Sequence, residues 1–250
     1  MNIVALVKRV PVTTLAPKVG ADGKSIDPSG VEYMTSFYDE IAVEEAVKVK
    51  EASGGEVTVL TIGAKGGTKE IRECLAKGAD KAVLMVDEDW AARDALSTAK
   101  ALAAKLGEMN AELVFAGRVA TDRDNAAVGP MVAALLGWGC VTDAVEVTVA
   151  DGKATVKREA ESGVETYVCD LPCVITCQKD LNEPRYAGLK GIMAAKKKPL
   201  EEVECPAASA QAEVTKLELP PERSGGRIVG TGVEAVPALI DALKNEAKVL

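Results

Sequence analysis

At 250 residues the chain can hold one α/β domain with additions, or two small domains. Its 48% hydrophobic and 27% charged content excludes a disordered chain, and its net charge of −8 argues against nucleic acid as a main partner. Histidine is absent, which removes His-based triads, the commonest general base and nearly all catalytic zinc sites, and no apolar run reaches the length of a membrane span.

Asn2 to Val10 reads as a near-continuous apolar strand, the pattern of a buried parallel strand. Lys8 and Arg9 follow the apolar residues, the wrong order for a secretory signal, so a cytoplasmic protein with reduced cysteines is expected. Pro11 to Val31 is a polar loop or small hairpin. Ser36 with Asp39 forms a capping-box pattern ahead of a helix that Gly54-Gly55 ends. Glu56 to Ile62 is a strand. Thr68 caps a helix over Lys69 to Lys77, closed by Gly78. Lys81 to Val86 is a third strand, and Asp89 caps a helix to about Leu106. Leu113 to Ala116 is a fourth strand.

That strand leads into GRVATDRDNAAVGP, Gly117 to Pro130. A strand running into a glycine-opened loop and then a helix presents free backbone N–H groups, which favour a phosphate. Asp124 is placed to cap the helix, and Pro130 needs no N–H partner in the first turn. The stretch is neither GxGxxG nor GxxxxGK[ST], and an ordinary strand-to-helix connection gives the same pattern.

Alternating strands and helices to Leu136 signify a parallel sheet with right-handed crossovers, a Rossmann-like α/β fold with flanking helices. Ligands of such sheets sit at the carboxyl ends of the strands. The candidate site therefore gathers Ala5 to Arg9, Ser36 to Asp39, Ile62-Gly63 and the Gly117 loop. After Gly139 the pattern becomes short strands with tight turns. Ala150-Asp-Gly152 and Glu161-Ser-Gly163 are hairpin signals of a β-hairpin insertion, and Cys173 to Gln178 is apolar enough to rejoin the main sheet. Residues 1–199 form the nucleotide-binding domain on this reading. Residues 200–250 form an extended C-terminal arm ending in a helix whose stripe is Val236, Leu239, Ile240 and Leu243, packing on a partner subunit. Cys169, Cys173 and Cys177 lack standard zinc or iron–sulfur spacing and read as structural thiols; no metal site is expected.

Several segments together resemble the beta subunit of electron transfer flavoprotein: Val4-Ala-Leu-Val-Lys-Arg-Val10, Ile41-Ala-Val-Glu-Glu-Ala46, Val156-Lys-Arg-Glu159, Gly163-Val-Glu165, Leu171-Pro-Cys-Val-Ile-Thr176, Leu181-Asn-Glu-Pro-Arg-Tyr-Ala187 and Ile192-Met193 followed by Lys196 to Lys198. The similarity runs end to end, most strongly to about Pro199. The resemblance implies a heterodimer with an alpha subunit that carries a redox FAD. It also implies an adenine-nucleotide hydrolase-like domain here. In one branch this domain holds only AMP, structurally. In the other it holds a second FAD and takes part in electron bifurcation from NADH. The family's nucleotide contacts carry over to Ala5, Ser36, Phe37, Tyr38, Asp39, Ile62, Gly63, Gly117, Arg118, Thr121, Asp122, Asp124, Asn125, Ala126, Ala127, Val128 and Gly129.

AMP-type members usually close this loop with Asn-Gln-Thr-Gly; here Ala126-Ala-Val-Gly129 stands before Pro130 and resembles the FAD-binding branch, as does the Asp-x-Asp of Asp122 and Asp124. Arg123, Asn125 and Ala127 depart from that branch's commoner Gly, Thr and Gln. Arg118 or Arg123 is expected to offset the acidic charge. The segment around Leu189 resembles the loop that docks acyl-CoA or similar flavin dehydrogenases, with flanking lysines steering an acidic partner. The function expected is an electron-carrier subunit rather than a stand-alone enzyme, with FAD as cofactor and AMP as the alternative. An ATP-using enzyme of the related hydrolase superfamily ranks last, because Lys8-Arg-Val-Pro11 stands where such enzymes carry a Gly-rich loop.

Overall fold

Continuous apolar strands need cover on both faces, and the computed structural model of the protein supplies it. It describes residues 1–14, 16–207, 209–222 and 225–250. The first half runs β1 (Asn2–Leu6), β2 (Arg9–Pro11), β3 (Tyr33–Thr35), α1 (Phe37–Ser53), β4 (Glu56–Gly63), α2 (Lys69–Lys77), β5 (Lys81–Val86), α3 (Ala95–Glu108) and β6 (Leu113–Gly117). Then come α4 (Val128–Leu136), β7 (Gly139–Ala150), β8 (Lys153–Ala160), β9 (Gly163–Asp170), β10 (Cys173–Cys177), α5 (Leu189–Ala195), β11 (Leu200–Glu204) and α6 (Val236–Asp241).

A nine-stranded sheet has the order β11-β5-β4-β1-β6-β10-β7-β8-β9. The pairs from β11 to β7 are parallel, and β8 and β9 complete an antiparallel edge. Alternate side chains of β1 serve two cores: Ile3 and Ala5 pack with Ile41, Ala46 and Leu75 of α1 and α2, while Val4 and Leu6 pack with Leu102, Leu106 and Val132 of α3 and α4. This is the expected Rossmann-like layering, built almost entirely from aliphatic side chains around Phe115.

The ribbon follows its turn chemistry. Asp151 (φ 51°) and Gly152 (φ 73°) make the two-residue turn between β7 and β8. Cys173–Cys177 does rejoin the main sheet, between β6 and β7.

Four local expectations need correction. Thr68 precedes α2 without a side-chain cap bond, its backbone already helical at φ −101°, ψ −8°. Asp89 does not open α3: Trp90–Ala92 form a 3₁₀ turn, and Asp94 is the cap, its carboxylate accepting from the Ser97 N–H at 2.7 Å. Ser36 precedes α1 without a side-chain cap bond, because Asp39 turns inward instead. Asp124 does not cap α4, which starts after Ala127 with no side-chain cap.

The polar segment Leu200–Glu204 pairs with β5, so the sheet extends 5 residues past Pro199. Between β11 and α6 most of the described residues are exposed, and in α6 Val236, Leu239 and Ile240 are 46%, 45% and 42% exposed. Among the described residues, no helix is long and apolar enough to cross a membrane.

Candidate functional site

The chain leaves β1 through α1 for β4 on one side, while β6 lies against β1 on the other. Loops from adjacent strands diverge at such a reversal and leave a crevice at their carboxyl ends. Asp39, in the first turn of α1, spans that crevice. Its Oδ2 accepts from the Lys8 N–H at 2.8 Å and its Oδ1 from the Gly117 N–H at 2.9 Å. Burial pushes its pKa up to about 7, while those two N–H bonds and the Lys8 charge pull it down. The Lys8 ammonium reaches across to both oxygens of Asp122 at 2.7 Å. The ends of β1 and β6 are thus tied twice, through backbone and through an ion pair. Gly117 has to be glycine, since a Cβ there would lie 2.4 Å from Asp39 Oδ1 and 2.8 Å from Tyr38 C.

Past Gly117 the loop turns on the Ala120 carbonyl, which accepts from Arg123 N–H at 3.2 Å and Asp124 N–H at 2.9 Å. Asp124 (φ 52°) and Ala126 (φ 51°) are left-handed, and Ala127 returns to φ −110°, ψ −35°. An alanine in the left-handed region costs about 1–2 kcal/mol and persists only where its surroundings impose it. Alternation of left- and right-handed residues is the backbone pattern that turns successive N–H groups to one side. None of the described residues accepts from the backbone N–H groups of Asn125 to Gly129. The N-terminal dipole of α4 lies behind them. This donor set suits a phosphate group of a nucleotide.

The predicted residues divide by location. Gly117, Thr121, Asp122 and the run from Asp124 to Gly129 come together in the loop, with Asp39 and Ser36 behind it; Ser36 Oγ donates to the Val119 carbonyl at 3.5 Å. Phe37 is exposed and stacks edge-on against Tyr38, with ring centroids 5.4 Å apart. Ala5 is fully buried inside the sheet between β4 and β6. Ile62 and Gly63 line a narrow cleft with Val7, Arg9 and Glu70. There Arg9 Nε and Glu70 Oε2 stand 3.4 Å apart, and Arg9 lies over the Tyr33 ring.

Neither arginine offsets the loop's acids as expected. Arg118 Nε pairs with Asp143 at 2.6 Å, and Arg123 donates to the carbonyls of Ala91 and Arg93. The side-chain direction of buried Gly129 faces the sheet: a Cβ there would meet Thr176 Cγ2 at 2.7 Å. Lys8, within the Ala5–Arg9 stretch, and Thr176, within the Leu171–Thr176 motif, carried no role of their own in the sequence, and Arg93 and Asp143 were not singled out; all four support the site. The signal for Lys8 is its place directly after an apolar strand.

The second motif region has two parts. Arg185 pairs with buried Glu44 and with Glu51, and Asn182 donates to the Ile41 carbonyl and Glu45, so this segment is locked onto α1. Next to it Tyr186, Leu189, Ile192 and Met193 are 98%, 74%, 45% and 63% exposed. Gly191 lets α5 approach the Ala76 carbonyl of α2. Lys198 leaves the expected basic face, because its ammonium caps α2 through the Leu75 and Ala79 carbonyls. Burial lowers its pKa. Cys173 and Cys177 face the core, and burial pushes the Cys173 thiol up to about 12.

Residues 25–208 match the family model described as the electron transfer flavoprotein domain. The chain is 36% identical to the electron transfer flavoprotein subunit beta of Bacillus subtilis strain 168, with both chains covered completely. It is 38% identical to the mitochondrial electron transfer flavoprotein subunit beta of Oryza sativa subsp. indica, again over the whole of both. With the Syntrophomonas wolfei subunit beta it shares 38% identity over 91% of this chain and 90% of that one.

Proposed function

The chain belongs to the electron transfer flavoprotein family, as a beta subunit serving electron transfer, and from that premise we propose that its Gly117–Gly129 loop holds the pyrophosphate of an FAD. The open N–H groups of Asn125 to Gly129 at the sheet's reversal point carry this reading. Asp122 is drawn off by Lys8 and Asp39 points inward, so neither carboxylate opposes the phosphate from within the concavity. A bound FAD supplies one- and two-electron redox chemistry; this chain's residues bind and orient it. Asp39 and the Lys8–Asp122 pair hold the cradle open.

Such an FAD is the second flavin of a heterodimer with the alpha subunit, the arrangement that electron bifurcation from NADH requires. The exposed stripe Val236, Leu239, Ile240 packs on the alpha subunit. The Tyr186–Leu189–Met193 patch docks a flavin dehydrogenase of the acyl-CoA class, with Lys196 and Lys197 steering it. A second reading, AMP held structurally, draws on the same donors, because one concavity of N–H groups also satisfies a single phosphate.

Heat release of nucleotide from the purified heterodimer, followed by chromatography, separates the two. Two FAD per heterodimer support the proposal. One FAD with one AMP overturns it in favour of the structural-nucleotide reading.

A further inference from the structure

We propose that Arg123 is a positioning residue that ties the order of the nucleotide loop to the root of the C-terminal arm. Its Nη1 donates to the Arg93 carbonyl at 2.8 Å and its Nη2 to the Ala91 carbonyl. Both acceptors belong to the turn between β5 and α3. That same turn holds the arm from its other side. Arg93, 4% exposed, donates to the Pro206 carbonyl while also engaging the Asp87 carboxylate and the Ser97 carbonyl. Asp94 Oδ2 accepts from the Gln211 N–H at 2.6 Å and the Ala212 N–H at 3.1 Å, while its Oδ1 caps α3. Leu217 N–H and Glu213 then fasten the arm to Gly23 and Lys24.

Loop, turn and arm root are therefore joined by hydrogen bonds through a turn that lies outside any helix or sheet interior. Each bond fixes both of its partners. A phosphate that orders residues 125–129 also fixes Arg123, which bonds through its backbone to the same Ala120 turn. The arm root then loses less freedom when it docks against Arg93 and Asp94, and by reciprocity a docked arm favours the filled loop. This coupling rests on the phosphate reading of the loop.

The test is hydrogen exchange on the purified heterodimer, stripped of nucleotide and then reloaded with AMP or FAD. Two peptides are followed: the loop, 118–129, and the arm root, 209–217. In the wild type, filling the site slows exchange in both, the arm root by about 5-fold or more. In Arg123→Met, an exposed position, the loop is still protected by nucleotide but the arm's slowing disappears. Arg123→Lys, reaching one carbonyl, keeps part of it. A purely structural role for Arg123 shifts arm exchange by the same factor with and without nucleotide. That outcome overturns the proposal, as does undiminished slowing in Arg123→Met. A wild-type loop that gains no protection overturns the phosphate reading, and the coupling with it.

Discussion

Replacing Gly129 by alanine tests how α4 is seated beneath the cradle. The new Cβ falls 2.7 Å from Thr176 Cγ2 and 3.8 Å from Ala116 Cβ. Carbon contacts settle near ~3.5–4.0 Å, so one methyl has to move by about 1 Å. Thr176 is 2% exposed and stiff about χ1, and its Oγ1 accepts from the Asp143 N–H at 3.2 Å. Rotating the methyl away strips that bond, at about 1 kcal/mol. Overpacking of this kind costs about 1–3 kcal/mol, and alanine's better helix propensity returns up to about 1 kcal/mol. The expected net loss is about 1–2 kcal/mol, with α4 lifted off the sheet and nucleotide content reduced. Thr176→Ser removes Cγ2 and keeps the hydroxyl. In that background Gly129→Ala should be neutral or slightly stabilising, and nucleotide content should recover. Urea midpoints for the four heterodimers of the cycle measure this directly. Additivity within about 0.3 kcal/mol refutes the argument that this glycine exists to fit against Thr176.

Asp39 gives a pH dependence. With a folded pKa of about 7 against 3.8 unfolded, its carboxyl contributes stability that is fully present below pH 3.8, falls as pH rises from there, and is gone once pH has passed 7. Wild type should therefore lose about 2–3 kcal/mol relative to Asp39→Asn between pH 5 and pH 8. An unchanged difference in thermal midpoint means that the two N–H bonds outweigh burial. Leu189→Ala, at a side chain 74% exposed, should slow electron transfer to the dehydrogenase and leave nucleotide content alone; equal transfer rates for both proteins rule the patch out. Arg185→Met should destabilise by about 2 kcal/mol because Glu44 stays buried without its partner, and adding Glu44→Gln should restore part of that. Denaturant melts that show no recovery in the double variant contradict this.

Much of the sheet was legible because its central strands are largely apolar and α1, α2 and α4 end on glycines. Lys69–Lys77, closed by Gly78, and Lys81–Val86 fall where the pattern places them. Leu200–Glu204 escaped because an edge strand buries little: three of its residues are glutamates, and the pairing with β5 is carried by backbone. The expected strand to Val10 breaks after Leu6 because the Lys8 N–H is drawn to Asp39. Of the loops gathered from strand ends, the Ser36–Asp39 turn and the Gly117 loop meet at Asp39, while Ile62 and Gly63 line the Arg9–Glu70 cleft and Ala5 lies inside the sheet. The roles within them were not legible, since they depend on which groups of distant strands approach. Asp39 reads as a cap partner until the Lys8 and Gly117 N–H groups are seen beside it. Gly129 reads as one nucleotide contact among many until Thr176 is placed against it. Arg123 reads as a counter-charge until the carbonyls of the Trp90–Asp94 turn are in reach.

The central claim is that the open N–H groups from Asn125 to Gly129 bind a nucleotide phosphate. A crystal structure of the heterodimer with its nucleotide in place tests it most directly. The account predicts phosphate oxygens at about 2.7–3.1 Å from several of those nitrogens, with Ala126 still left-handed and Asp122 still paired with Lys8. A nucleotide phosphate held instead at the Arg9–Glu70 cleft, with an acidic side chain of the alpha subunit occupying the Asn125–Gly129 donors, contradicts it.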